Sequence, residues 1–297
     1  MNNHLVIGAS GLVGGQLLLE LEAAGQPVIG TFFSHSLPGL SYLDIQDSEA
    51  IQTLLHSTRP AVIYLPAALA NVDYVEEHSC ESYQTNVVGV YNVLRAANQV
   101  NARLVYFSSD YIFDGNEGPY EEEHPANPIC NYGRQKLLAE HAIGLYSPGC
   151  LIIRTTVVYG WERQQKNFVY RTLHSLQSRQ TLAAPIDQVG SPTYAPTLAK
   201  AAVWLAQHGE QGVFHVVGNE LANRYEFTLA IAQTFNQDSS LIKPVMTEAL
   251  NQKASRPLKA GMKTDKVRAI LPFDLVGYHQ GLLVLKEVIN EMEQQVS

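Results

Sequence analysis

His4-Leu5-Val6-Ile7-Gly8-Ala9-Ser10-Gly11-Leu12-Val13-Gly14 decides the fold. An apolar run of strand length meets glycines at positions 8, 11 and 14, and Leu17-Leu18 and Leu21 then continue Leu12-Val13 at helical spacing. That order predicts a buried strand, a tight turn and a helix. The early glycines permit the turn and a close backbone approach to a pyrophosphate. The third permits close packing of helix on strand, and the helix N-terminus offers N–H donors and a positive dipole. On glycines alone an ordinary turn would read the same way; the strand before and the helix after make Gly8, Ser10, Gly11, Leu12, Val13 and Gly14 the expected phosphate loop.

Working outward, the two hydrophobic periods keep alternating. Pro27–Gly30, Ala61–Tyr64, Arg103–Phe107 and Cys150–Ile153 read as buried strands. Ile51, Leu54 and Leu55, then Val87, Val90, Val93 and Leu94, then Leu137, Leu138 and Ala142 read as helices between them. The expected class is α/β, a doubly wound, Rossmann-like parallel sheet. After Gly160 the rhythm changes. A helix is expected over Asn167–Gln177, a loop from Ser191, a helix capped by Thr197 and running to about Gln207, a strand within Gly212–Gly218, a helix at Tyr225–Phe235 and a last helix from about Gly277. Residues 1–160 are therefore expected to form the dinucleotide-binding domain, with a strand near 213–217 returning to it. Residues 161–297 are expected to form mainly a smaller, partly discontinuous substrate-binding lobe, with the ligand cleft between the two.

Composition removes other classes. The 297 residues carry 20 Lys+Arg against 28 Asp+Glu, a net charge of −8, with 46% hydrophobic residues. That is a full-sized globular chain with no general affinity for a nucleic acid polymer or an anionic membrane. Cys80, Cys130 and Cys150 are odd in number and follow no metal-ligand spacing, which fits a reduced compartment. The first residues, Met1 to Ser10, show no signal-peptide pattern, and no apolar run approaches the ~20 residues of a membrane span. A cytoplasmic location is expected.

The end of the second strand reads Gly30-Thr31-Phe32-Phe33-Ser34-His35, without the carboxylate that would hold a ribose 2′-hydroxyl. NADP is therefore favoured over NAD, with Thr31, Ser34 and His35 as contacts, although His35 taken alone also reads as a surface histidine. Asp44, with Ile45, follows a third short strand and reads either as an adenine-edge contact or as the cap of a helix starting near Ser48.

Tyr132 and Lys136 are spaced to share one helical face, and Ser109 ends the strand that begins near Leu104. A lysine ammonium beside a tyrosine is expected to lower the phenol's pKa and let it exchange a proton with a carbonyl or alcohol oxygen, which a serine hydroxyl also holds. A lone pair of this spacing is more often an exposed helical pair. Here it follows the glycine loop and the serine strand in order, which makes Ser109, Tyr132 and Lys136 the expected catalytic set. Cys130 reads as a small hydrophobe, and Glu121-Glu122-Glu123 as a solvated loop. No histidine spacing suits a metal, and none is expected.

Ser108-Ser109-Asp110-Tyr111-Ile112-Phe113-Asp114-Gly115, taken with the glycine loop and Tyr132-x3-Lys136, resembles the extended short-chain dehydrogenase/reductases. Arg154-Thr155-Thr156-Val157-Val158-Tyr159-Gly160, Asp187-Gln188-Val189-Gly190-Ser191-Pro192-Thr193 and Ser255-Arg256-Pro257 are most similar to the dTDP-4-dehydrorhamnose reductase branch, over nearly the whole chain. The resemblance implies NADPH-dependent reduction of the C4 ketone of a nucleotide-linked deoxysugar. Tyr132 would be the acid, with Lys136 holding both the tyrosine and the nicotinamide ribose. It implies further that Pro66, Ala67 and Ala68 touch the cofactor, and that Ser109, Asp110, Asn167, Gln188 and Arg256 line the nucleotide-sugar cleft.

Some members of that branch hold a magnesium at a dimer interface through an acidic residue on the first helix. Gln16 stands at that position here, so a homodimer is allowed and a metal is not expected. Two other functions fit the same motifs. One is a nucleotide-sugar epimerase or dehydratase, which recycles its cofactor. The other is a non-catalytic NADP-binding subunit resembling the regulatory subunit of methionine adenosyltransferase.

Overall fold

A computed structural model describes residues 3–147 and 149–296; residues 1, 2 and 297, the outer ends of the two expected units, lie outside it. In chain order the first half runs β1 (His4–Ile7), α1 (Leu12–Ala23), β2 (Val28–Phe32), β3 (Ser41–Tyr42), α2 (Ser48–Thr58), β4 (Val62–Leu65), α3 (Val72–Glu77), α4 (Ser79–Tyr83), a π-helical turn at Gln84–Gly89, α5 (Val90–Gln99), β5 (Arg103–Ser109), α6 (Asn131–Tyr146) and β6 (Leu151–Thr155). The second half runs β7 (Val158–Tyr159), α7 (Phe168–Gln177), β8 (Leu182–Pro185), β9 (Val189–Gly190), β10 (Thr193–Tyr194), α8 (Ala195–Gln207), β11 (Gly212–His215), β12 (Ala222–Asn223), α9 (Arg224–Thr234), β13 (Ile242–Val245), α10 (Asp265–Arg268) and α11 (Tyr278–Val296).

Seven parallel strands form the central sheet in the order β11-β6-β5-β4-β1-β2-β3. The winding reverses between β1 and β4, which opens a crevice at their C-terminal ends. One face of the sheet buries Leu5, Ile63 and Leu104 against Ile51 and Leu55 of α2, Val93 and Leu94 of α5, and Ile143 of α6. The other buries Val6, Tyr64 and Val105 against Leu17 and Leu21 of α1 and Leu198, Ala202 and Leu205 of α8. Strands buried on both faces read as continuous apolar runs, which is why they were visible in the sequence.

Residues beyond Gly160 serve both parts of the molecule. α8, β11 and Val267 and Leu275 belong to the sheet's second face. α7, α9 and α11 build a separate core from Val169, Leu173, Phe227, Ile231, Leu282 and Leu285, next to the β8–β13 pair. Among the described residues no helix is long and apolar enough to cross a membrane.

The expected elements shift at their ends. Thr197 does not cap α8: the helix starts at Ala195, with Tyr194 at the N-cap and Pro196 in the first turn, where a missing N–H costs nothing. Asp47 caps α2, accepting from the N–H groups of Glu49 and Ala50, while Asp44 accepts from Gln46 in the turn before it. Asp44 therefore does not cap that helix. Glu122 is not a solvated residue. Its side chain accepts from the His215 N–H at 2.9 Å, and its own carbonyl accepts from Arg154. The strand expected through Val217 pairs as a ladder only over Gly212–His215, with the Val216 N–H adding one bond to Arg154.

Candidate active site

The glycine loop lies at the C-terminal end of β1. Gly8 adopts φ +94°, a conformation side chains rarely take, and packs against Ala67 in the loop after β4. A Cβ at Gly14 would run into the Gly8 carbonyl, so α1 sits directly on the turn. Gly11 is the N-cap and carries no side chain to cap the helix, which leaves the N–H groups of the first turn, from Leu12 onward, free of intrahelical partners. That cradle suits the phosphates of a dinucleotide.

Around it stand the other expected cofactor residues. Thr31 is buried, with its carbonyl accepting from the Ala9 N–H at 2.7 Å and its hydroxyl from Gly8 at 3.4 Å. The Pro66–Ala68 loop is held in place by Asn86, whose amide exchanges hydrogen bonds with the Leu69 backbone at 2.9 and 3.0 Å and donates to Gln135. Ile45 is buried beneath α5, and Asn92 donates to its carbonyl.

Ser34 and His35 are joined by a 2.7 Å hydrogen bond, and the Lys166 ammonium lies 3.2 Å from His35 Nε2. With Lys166 donating to Nε2, the ring proton is on Nδ1 and faces Ser34. The cation that the sequence lacks at the end of β2 thus arrives from 131 residues further on. Gln164, in the same loop, donates to the Ser10 carbonyl at 3.1 Å. A cavity of about 390 Å³ opens between the glycine loop, Leu37–Leu40 and Trp161–Arg163.

Ser109, Tyr132 and Lys136 converge at the C-terminal end of β5. All three are buried. Lys136 Nζ donates to the Phe107 carbonyl at 2.8 Å and lies 5.8 Å from the centre of the Tyr132 ring. Burial, partly offset by Glu140, lowers the Lys136 pKa to about 8. The expected fall in the Tyr132 pKa is not found. Burial first and the neighbouring Asp110 carboxylate second push the phenol well above its ordinary value, and the nearby Ser109 hydroxyl lowers it only in part. Desolvation of an anion outweighs a cation displaced toward Phe107.

Asp110 accepts from Ser109 Oγ at 2.9 Å and from Thr156 Oγ1 at 2.8 Å. Burial raises its pKa to about 6 against those two hydrogen bonds. Asp110 and Tyr111 line a small cleft with Gln188 and Pro257. Gln188 donates to Gln252 at 2.9 Å. Arg256 lies nearby but is ion-paired with Asp73 at 2.8 Å, and so is not a free cation. Asn167 is not among the residues lining this cleft: it caps α7 and donates to Gly160 and Glu162.

The charged cleft residue that escaped the sequence is Arg224. As the first residue of α9, it lines the same cleft as Asp110. Only the Asn223…Glu226 capping box marks its place in the chain, and such a box signals a helix start rather than a ligand.

The family described as the RmlD substrate binding domain matches residues 2–293. The chain is 32% identical over 273 residues to methionine adenosyltransferase 2 subunit beta of Xenopus tropicalis, covering 90% of this chain and 81% of that protein. It is 32% identical over 258 residues to the spore coat polysaccharide biosynthesis protein SpsK of Bacillus subtilis, covering 86% and 87%. Among solved structures, a dTDP-4-dehydrorhamnose reductase of Bacillus anthracis in complex with NADP superposes with a TM-score of 0.89 at 28% identity, over 96% of this chain and 99% of that one.

Proposed function

The chain belongs to the family of the RmlD substrate binding domain, and from that premise we propose that it reduces the C4 ketone of a nucleotide-linked deoxysugar, dTDP-4-dehydrorhamnose, to the alcohol. The observation that carries this reading is the burial of Ser109, Tyr132 and Lys136 together at the end of β5, beside a glycine loop shaped for phosphates. The B. anthracis reductase that this chain resembles holds NADP. When bound, NADPH supplies the hydride.

The chain's own residues supply the proton and the positioning. Ser109 turns its hydroxyl from Asp110 to the ketone oxygen, and Tyr132 gives its proton to that oxygen as negative charge develops there. A phenol whose pKa is raised by burial keeps its proton at neutral pH and so stands ready as an acid. This favours reduction over a reaction that must begin with tyrosinate as a base. Lys136, tied to β5, keeps a positive charge near the phenol and stabilises the phenolate left when the proton has gone. NADP is preferred over NAD through Ser34, His35 and Lys166, which set hydrogen-bond donors and one cation where a 2′-phosphate is received.

The test is to follow NADPH absorbance with purified protein and dTDP-4-dehydrorhamnose. Stoichiometric consumption supports the reading; no consumption with that or any related keto-sugar nucleotide rejects it. A second reading draws on the match to methionine adenosyltransferase 2 subunit beta. In it the chain binds NADP to stabilise its fold and contacts a partner enzyme, without turnover.

A further inference from the structure

We propose that Arg224 is a specificity-determining residue of the cleft, gripping the diphosphate that links nucleoside to sugar. The inference rests on the nucleotide-sugar reading. It begins from a cation with no hydrogen-bonded partner. The Arg224 N–H of the backbone donates to the Gln188 carbonyl at 3.0 Å, fixing the start of α9 against the cleft wall. Its guanidinium lies over Phe168, 5.1 Å from the ring centre, and Phe168 in turn stacks on Phe227.

That stack satisfies the face of the guanidinium and none of its five N–H donors. Among the described residues the Arg224 side chain donates no hydrogen bond and forms no ion pair. Two other arginines drawn into the protein meet carboxylates: Arg154 pairs with Glu140 at 2.8 Å and Arg256 with Asp73 at 2.8 Å. Arg103 donates from Nη1 to the Ala206 carbonyl, and its buried Nε and Nη2 lie outside this cleft.

The local field sharpens the argument. Burial is the largest influence on Arg224 and opposes its charge, and Arg171 and Arg256 add repulsion. Asp110 and Tyr111 are the groups that favour the cation. Yet Asp110 already accepts from Ser109 and Thr156. A partly desolvated cation without a hydrogen-bonded partner is costly. A planar fork of donors matches phosphate oxygens in bidentate fashion, and in a chain of net charge −8 Arg224 gives this cleft a cation to receive an anion.

The experiment titrates the NADPH-loaded full chain with dTDP, comparing wild type, Arg224→Gln and Arg224→Lys by calorimetry, with NADPH affinity measured alongside. Arg224→Gln is expected to weaken dTDP by about 30-fold and Arg224→Lys by less, because a lysine keeps the charge and loses the fork. NADPH affinity should stay within threefold, and with the keto-sugar nucleotide KM should rise while kcat holds. Unchanged dTDP affinity in Arg224→Gln overturns the assignment, as does a parallel loss of NADPH binding, or a wild type that does not bind dTDP. If Arg224→Gln fails to fold, the dTDP affinity of Arg224→Lys decides: parity with wild type rejects the fork. Arg224-dependent dTDP binding without keto-sugar turnover rejects the reductase reading and leaves Arg224 assigned. Turnover with KM unchanged in the variant does the reverse.

Discussion

Lys136 Nζ donates to the carbonyl of Phe107 at 2.8 Å, two residues before Ser109 on the same strand. The ammonium is thereby anchored to β5 and not to the tyrosine one helical turn before it. Burial brings its pKa to about 8, with Glu140 opposing the fall. Below that value the site holds the cation; above it the cation is lost. Turnover of NADPH is therefore expected to decline on the alkaline side with an apparent pKa near 8. A rate that stays flat to pH 10 would show that the ammonium's charge is not needed.

Tyr132→Phe removes the proton donor and leaves the ring where it packs edge-on against Tyr111, 5.7 Å away. Positioned acids contribute roughly 10²–10⁴-fold to rate, so kcat should fall by that order while NADPH affinity changes less than threefold. If the chain works only by binding, the substitution should be silent in every assay of partner activation. The paired measurement of kcat and NADPH dissociation separates the two.

The central sheet was legible because its strands are buried on both faces and its glycine turn is local in sequence. Ser109, Tyr132 and Lys136 were legible for the same reason: two short segments carry them. What the sequence hid depends on the tertiary path. Lys166 reaches His35 across 131 residues, and Arg224 reaches the cleft of Asp110 from the start of α9. Spacing reports that Lys136 is near Tyr132 and does not report how completely the phenol is desolvated, which reverses the sign of the expected shift. Likewise the sequence places Arg256 toward the cleft and does not report that Asp73, on a different segment, pairs with it.

Lys166 supplies the charge beside His35, and it is exposed, so its removal should cost little stability. Charge-assisted hydrogen bonds to phosphate contribute about 1.5–3 kcal/mol. Lys166→Ala is expected to weaken NADPH by ~10- to 100-fold and NADH by less than twofold, as read by quenching of protein fluorescence. Equal losses for both cofactors would mean that the loop acts by closing over the site, without reading the 2′-phosphate.

Asp110 gives the sharpest link between stability and function. Its folded pKa of about 6 lies above the ordinary 3.8, with burial the main cause. Between those two values the folded state holds a proton that the unfolded state releases, so stability falls as pH rises through the window and levels off above about 6. The gap corresponds to at most ~3 kcal/mol. Asp110→Asn keeps an acceptor for Thr156 and removes the ionisation. The variant should match wild type near pH 4 and exceed it by up to that amount at pH 7.5, as urea denaturation at pH 4, 5, 6 and 7.5 would show. Its turnover should fall, because Ser109 loses the carboxylate to which it donates at 2.9 Å. A stability difference that does not vary with pH would mean that Asp110 is not titrating in this window, and that burial of its charge is compensated within the site.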